Sequence, residues 1–129
     1  MSNENVCIVG LGYVGLTLGV ALAKHGVNIF GVETNKEIIN SLKKNKAHFS
    51  EKGLNEIITE VVSAKNFKFS DSIPKDNNFS VYIITVGTPL DENGNPRLDM
   101  ITNASREVAT NMKDGSLIIL RSTVELGTT

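Results

Sequence analysis

The stretch Val6–Glu33, VCIVGLGYVGLTLGVALAKHGVNIFGVE, decides the fold of this chain. It has the pattern of a strand, a glycine-rich turn, an apolar helix that stops at Gly26, and a second strand that ends on the acidic Glu33. Glycines in this strand-turn-helix-strand setting are typical of a dinucleotide-binding unit, whereas a glycine triplet alone fits any strand followed by a helix. The stretch therefore predicts a nucleotide site.

Each of the three glycines has its own expected role. Gly10 lets the chain turn sharply out of the strand, and Gly12 has no side chain to keep a pyrophosphate away from the backbone. Gly15 is expected to let the helix lie close to the sheet. The pyrophosphate would then meet unpaired N–H groups at the positive end of the helix dipole.

Glu33 indicates which dinucleotide is bound. It follows Gly12 at a spacing of about 20 residues, at which an acidic residue reaches the adenosine ribose hydroxyls. A carboxylate there accepts hydrogen bonds from both hydroxyls of the adenosine ribose in NAD. It repels the phosphate that NADP carries at the 2′ position of that ribose. We therefore expect NAD as the cofactor. Lys36 could receive a 2′-phosphate, which leaves NADP as the alternative.

Length and composition exclude several classes of partner. The 129 residues suffice for one domain, residues 1–129, with a core of its own. The chain has 13 basic and 14 acidic residues and no basic block, so we expect no nucleic-acid partner. Glycines interrupt the uncharged run Val6–Ala23 and the leader MSNEN lacks a basic residue, so we expect no membrane span, no secretion signal and a cytoplasmic protein.

Cys7 is the one cysteine of the sequence, which excludes an internal disulfide. It falls on the first predicted strand, where a cysteine is more often buried in the core than used as a nucleophile. No metal site is expected.

The rest of the chain alternates helices and strands. The expected elements are a helix capped by Asn35, a polar connection Asn45–Gly53, a helix starting at Leu54, strands Phe67–Phe69 and Val81–Val86, a helix capped by Asp99, and a strand Leu117–Leu120. This order predicts an α/β fold. We expect a Rossmann-like doubly wound parallel sheet with strand order 3-2-1-4-5 in three αβα layers.

Small hydroxyl residues follow the last two strands. Ligands of such sheets lie beyond the carboxyl ends of the strands, where Thr88, Ser122 and Thr123 fall. These side chains could hydrogen-bond a nicotinamide, a ribose or a water, or they could cap local turns, and the spacing leaves both roles open. The segment Leu90–Arg97 is expected to be a solvated turn.

Five motifs in order make the chain resemble a known family. They are GLGYVGL at Gly10–Leu16, the acid Glu33, EKGL at Glu51–Leu54, GTPLDENGNPRLD at Gly87–Asp99, and STVELGTT at Ser122–Thr129. The chain resembles the amino-terminal NAD-binding domain of the UDP-glucose/GDP-mannose dehydrogenases, which oxidise nucleotide sugars at C6. The resemblance implies a nucleotide-sugar substrate and a full-length enzyme that is a homo-oligomer.

The resemblance also implies roles for individual residues. The backbone of Tyr13 and Val14 would cover the pyrophosphate, Glu33 and Lys36 would flank the adenosine ribose, and Thr88 and Thr123 would line the nicotinamide side. Thr123 would support catalysis beside the reacting centre.

The chain departs from the family pattern at a few positions. Gly87 and Lys52 replace prolines, Asn45 replaces a glycine, and the stretch with Glu125 and Leu126 lacks a further proline. None of these changes removes a side chain that contacts NAD. The sequence TPLDENGNPRLD favours the branch of the family that acts on N-acetylated UDP-hexosamines. The UDP-glucose branch is the alternative.

The resemblance places the main catalytic residues outside this sequence. The family forms a thiohemiacetal on a cysteine, assisted by a lysine, an asparagine and an aspartate, and all would follow Thr129. Cys7 lies before the glycine-rich turn and cannot replace that cysteine. We therefore expect a piece of a longer enzyme that binds NAD and is inactive alone.

Two other functions share the glycine pattern. One is an NAD-sensing module of the kind that regulates channels and transporters, which the chain's length favours. The insert Asn45–Ala64 and the Thr and Ser residues at the strand ends favour the dehydrogenase. The other is an NAD(P)-dependent hydroxyacid or 6-phosphogluconate dehydrogenase domain, whose NADP-preferring members suit Glu33 poorly.

Overall fold

Five parallel strands form the centre of the computed structural model, which describes residues 4–122. The elements in chain order are β1 (Asn5–Val9), α1 (Tyr13–Lys24), β2 (Asn28–Val32), α2 (Lys36–Lys43), α3 (Leu54–Ser63), β3 (Phe67–Ser70), β4 (Val81–Ile84), α4 (Asp99–Asn111) and β5 (Leu117–Leu120).

The sheet has the order β3-β2-β1-β4-β5, which confirms the predicted topology. β1 lies in the middle, so that Ile8 is opposite Gly31 of β2 on one side and Ile83 of β4 on the other. All four strand pairs are parallel. The carboxyl ends of β1, β2 and β4 therefore meet at one edge of the sheet.

The sheet is covered on both faces, as the three-layer prediction requires. Alternate residues of β1 point to opposite faces, because side chains of a strand repeat every two residues. Ile8 packs on one face with apolar residues of α1 and α3, whereas Cys7 packs on the other face with Ala104 and Val108 of α4.

Two predicted helix boundary signals, one at the start of α2 and one at the end of α1, are confirmed. The Asn35 side chain accepts a hydrogen bond from the Glu37 amide at 2.9 Å, which caps the start of α2. Gly26 follows α1 with a φ of +91°, a left-handed conformation that stops the helix and suits glycine.

Two predicted boundaries were wrong. The strand expected over 81–86 ends at Ile84, and among the described residues only the Thr85 amide continues its backbone hydrogen bonding, to the Val9 carbonyl at 2.8 Å. Asp99 does not cap α4: Leu98 is the N-cap residue, and Asp99 is the first residue of the helix. The Asp99 carboxylate instead pairs with the Arg97 guanidinium through distances of 3.2 and 2.9 Å.

β5 is the edge strand beside β4, and its apolar side chains are exposed. Leu117, Ile118 and Ile119 expose 55%, 42% and 38% of their surface. Within residues 4–122, no helix is long and apolar enough to cross a membrane.

Candidate functional site

A cleft of about 600 Å³ opens at the carboxyl ends of β1, β2 and β4. This volume lies within the range of small-molecule sites in proteins, which is about 300–1,000 Å³. Its walls include six of the predicted site residues: Gly10, Gly12, Tyr13, Val14, Glu33 and Thr88. The fold therefore brings the start of α1, the end of β2 and the loop after β4 to one place.

Two other predicted residues, Gly15 and Lys36, do not line this cleft. Gly15 is buried in α1, and Lys36 lines a neighbouring cleft that Glu33 also lines. Thr123 lies outside the described residues. The predicted roles of these nine residues in cofactor binding remain predictions.

The segment Gly10–Gly12, called the glycine loop below, leaves β1 through a turn that requires glycine. Gly10 has a φ of +99°, and a Cβ there would lie 2.9 Å from the backbone of Thr85 and Val86. The Gly10 amide donates to the Val32 carbonyl at 2.8 Å, which holds the turn against the end of β2.

The close approach at Gly15 differs from the expected one. A Cβ at Gly15 would lie only 1.9 Å from the Gly10 carbonyl oxygen and 2.5 Å from Thr85 Oγ1, so this glycine lets α1 approach the glycine loop. Contact with the sheet itself belongs to Gly19, whose Cβ would lie 3.1 Å from Phe67 and 3.2 Å from Ile8. The prediction for Gly15 named the wrong neighbour.

Gly12 has space around it that the protein does not fill. A Cβ there would meet no described protein atom within 4 Å, and its φ of −71° is accessible to any residue. Gly12 is also the N-cap residue of α1, and among the described residues no side chain caps this helix. First-turn amides have no intrahelical partner, so they are available to an anion such as a pyrophosphate.

The Glu33 carboxylate connects two backbone segments. Oε1 accepts from the Leu11 amide and Oε2 from the Asn35 amide, both at 2.9 Å. A carboxylate offers about four lone-pair sites, so two remain for other donors. Glu33 can thus hold the glycine loop and still accept from two ribose hydroxyls in the cleft.

Glu33→Ala should narrow the preference of the chain for NAD over NADP by about 1–3 kcal/mol, the range for hydrogen bonds to a charged group. Glu33→Gln should lie between the parent and Glu33→Ala, because the amide retains an acceptor but loses the charge that repels a 2′-phosphate. Calorimetric titration of all three chains with both cofactors measures the difference. Equal affinities for NAD and NADP in the parent chain would overturn the assignment.

The far end of the cleft lies at β4 and β5. Arg121 and Ser122 line it together with Thr88. The Ser122 hydroxyl donates to the Val86 carbonyl at 2.7 Å, so this side chain has the local role that the sequence left open. It joins the segment after β5 to the segment after β4.

Sequence reasoning missed several residues of the cleft. Thr85 was assigned to a strand. Its hydroxyl group interrupts the apolar run VYIITV, and this was a signal that the buried strand ends there. Asn103 and Glu107 of α4 also line the cleft, and Glu107 accepts from the Ile73 amide at 2.8 Å. Their spacing places them on one side of α4, but nothing in the sequence shows that this side faces a ligand.

Cys7 is inert in this fold. Its side chain is fully buried, and burial first and the Glu107 charge second raise the pKa of its thiol from 9.0 to about 12. A thiol in this state is protonated at neutral pH and is not a nucleophile.

The raised pKa of Cys7 predicts a loss of stability at alkaline pH. Between about pH 9 and pH 12 the unfolded chain releases a thiol proton that the folded chain retains, so the free energy of unfolding falls as the pH rises. Between pH 8 and pH 10, the parent should lose about 1 kcal/mol more than Cys7→Ala. Urea unfolding at both pH values measures this, and equal losses would mean that the thiol ionises in the folded chain.

Comparison with known proteins places this site in a family. Residues 4–129 match the family model described as the UDP-glucose/GDP-mannose dehydrogenase family, NAD binding domain. The UDP-N-acetyl-D-mannosamine dehydrogenase of Campylobacter jejuni is 37% identical over 127 residues, which are 98% of this chain and 30% of that protein. The UDP-glucose 6-dehydrogenase YwqF of Bacillus subtilis is 30% identical, over 96% of this chain and 28% of that protein.

A solved structure agrees with these relatives. The UDP-N-acetyl-mannosamine dehydrogenase Cap5O of Staphylococcus aureus superposes with a TM-score of 0.86 at 32% identity, covering 94% of this chain and 29% of that one. The chain spans less than a third of the length of these three proteins. It belongs to the UDP-glucose/GDP-mannose dehydrogenase family and corresponds to the NAD-binding domain of that family.

Proposed function

We propose that this family member is the NAD-binding part of a nucleotide-sugar 6-dehydrogenase, which oxidises the C6 alcohol of a UDP-hexose or UDP-hexosamine to a carboxylate. The observation that carries the proposal is the cleft itself. It joins an uncapped helix start and Glu33 at one end to the ends of β4 and β5 at the other. The first end suits the adenosine and pyrophosphate, and the second suits the nicotinamide.

The residues of the cleft fit NAD. The empty space at Gly12 is where a pyrophosphate can approach the backbone, and the amides of Tyr13 and Val14 would hold it. Glu33 would accept from the adenosine ribose, while Thr88 and Thr123 would orient the nicotinamide. When bound, NAD would supply the hydride acceptor of the reaction.

We propose a UDP-N-acetylhexosamine as the substrate. The segment TPLDENGNPRLD supports this choice, and so does the higher identity to the Campylobacter jejuni relative than to the Bacillus subtilis one. UDP-glucose is the alternative. A panel of both sugars with a longer gene product that contains this chain would separate them through the ratio of their kcat/KM values.

The described residues supply no nucleophile for this oxidation. A route from alcohol to carboxylate through a thiohemiacetal needs a reactive cysteine, and Cys7 is buried with a raised pKa. We propose that the chain binds NAD and orients it, and that sugar chemistry requires residues supplied by the remainder of a longer enzyme.

Residues 1–129 should therefore bind NAD in calorimetry and form no NADH from any UDP-hexose. A longer gene product that contains this chain should reduce two NAD and consume one water for each sugar, as oxidation of an alcohol to a carboxylate requires. Absorbance at the NADH band measures both results. NADH formation by the 129-residue chain would show that its own residues activate the sugar, and would overturn the proposed division of roles.

In the longer protein, Thr123→Ala should lower turnover more than NAD affinity, because the proposal places that hydroxyl beside the reacting centre.

The alternative function, an NAD-sensing module, predicts that the longer protein forms no NADH from nucleotide sugars. A longer gene product that binds NAD and oxidises no nucleotide sugar would favour it.

A further inference from the structure

We infer that Thr85 is a positioning residue, which holds the glycine loop in the shape that binds phosphate. Its hydroxyl donates to the Gly10 carbonyl at 2.6 Å, and the Val9 carbonyl lies 3.3 Å away. Thr85 comes directly after β4, which is the neighbour of β1 in the sheet. The inference rests on the proposed binding of NAD in this cleft.

The packing around Thr85 restricts the position of the Gly10 carbonyl. A Cβ at Gly15 would lie 1.9 Å from that carbonyl oxygen and 2.5 Å from Thr85 Oγ1. The helix backbone at Gly15, the carbonyl and the hydroxyl therefore meet in one tightly packed, partly buried place. A carbonyl in such a place needs a hydrogen-bond donor, which Thr85 provides.

The backbone on either side of the Gly10 carbonyl is held by β2 as well. The Gly10 amide donates to Val32, and the Leu11 amide donates to Glu33, so both amides are fixed by the end of β2. Thr85 provides the third attachment, from the end of β4. The next residue of the loop is Gly12, at the start of α1, where the pyrophosphate is expected. A shift of the Gly10–Leu11 peptide would move the very backbone that receives the phosphates.

Thr85→Val tests the inference, because valine keeps the branched shape and replaces the hydroxyl with a methyl group, which cannot donate to the Gly10 carbonyl and must lie farther from it. NAD and ADP should bind about tenfold more weakly, the effect of losing one hydrogen bond to a carbonyl that stays partly buried. Adenosine, which has no phosphate, should change less than twofold. Thr85→Ser should restore most of the affinity for NAD. Calorimetry with the three ligands measures these affinities.

Hydrogen exchange provides a second measurement that needs no ligand. The Leu11 amide should exchange about tenfold faster in Thr85→Val than in the parent, and at the parental rate in Thr85→Ser. The Ile8 amide in β1 should not change. The matched control is Thr59→Val in α3, whose hydroxyl bonds the Asn55 carbonyl within that helix and which does not line the cleft. It should leave both measurements as in the parent.

Several results would overturn the inference. Parental NAD affinity in Thr85→Val, an equal loss for adenosine, or failure of Thr85→Ser to recover would each show that Thr85 does not act through the loop. If the parent itself fails to bind NAD, the proposed function fails, and the exchange of the Leu11 amide still decides whether Thr85 holds the loop.

Discussion

Gly15→Ala should destabilise the chain by about 3 kcal/mol or more, which corresponds to a fall in melting temperature of about 10–15 °C. The added methyl would lie 1.9 Å from the Gly10 carbonyl oxygen, and no side-chain rotation can relieve a clash with backbone. Either α1 or the glycine loop must shift, and the shift breaks the contact with Thr85. Thermal unfolding followed by circular dichroism measures the loss.

Gly19→Ala and Gly12→Ala are matched controls on the same segment. A Cβ at Gly19 would contact side chains at 3.1–3.4 Å, which can move by a few tenths of an ångström, so a smaller loss is expected. A Cβ at Gly12 would contact no described protein atom within 4 Å, so the loss should be smallest there. If Gly15→Ala is as stable as Gly12→Ala, the packing of α1 against the glycine loop is not as described.

Gly12→Val should abolish NAD binding, with a fall in affinity of about 100-fold or more, while the fold survives. The branched side chain would occupy the space where the pyrophosphate approaches the backbone. Because Gly12 has an ordinary φ of −71° and open surroundings, the protein itself can accept the change. The expected stability cost is below about 1 kcal/mol, since it arises only from a less favourable helix cap.

Gly15→Ala and Gly12→Val thus separate folding from binding, because the first is expected to lower stability and the second to lower NAD affinity. For Gly12→Val, calorimetry should show no heat of NAD binding, and the melting temperature should stay within a few degrees of that of the parent. Normal NAD affinity in Gly12→Val would mean that the phosphates lie elsewhere. Unfolding of this variant would mean that Gly12 has a structural role which its open surroundings do not show.

Much of the fold follows from local patterns. The glycines at 10, 12 and 15, the stop at Gly26 and the acid at 33 define one βαβ unit, and the chirality of parallel connections then leaves few strand orders. The cap at Asn35 was predictable because an Asn side chain mimics a backbone turn. Such signals act over a few residues, so a single sequence contains them.

The unpredicted features depend on contacts between distant residues. Thr85 meets Gly10 across 75 positions, and no local pattern shows that the two meet. Asp99 looked like a cap but pairs with Arg97, because a guanidinium two residues away can compete with backbone amides for a carboxylate. The polar side of α4 was unassigned for the same reason, since only the folded sheet shows that it borders the cleft.

The central position of β1 has a consequence for how the chain acquires its shape during synthesis. β1, β2 and β3 with the first three helices lie within residues 5–70, so three of the five strands can form before β4 leaves the ribosome. The bond from Thr85 to the Gly10 carbonyl closes later, because it joins residues 75 positions apart and needs Thr85 to have left the ribosome. These three strands therefore carry the glycine loop without its last attachment, and we expect the affinity for the cofactor to reach its final value only when β4 and β5 have joined the sheet.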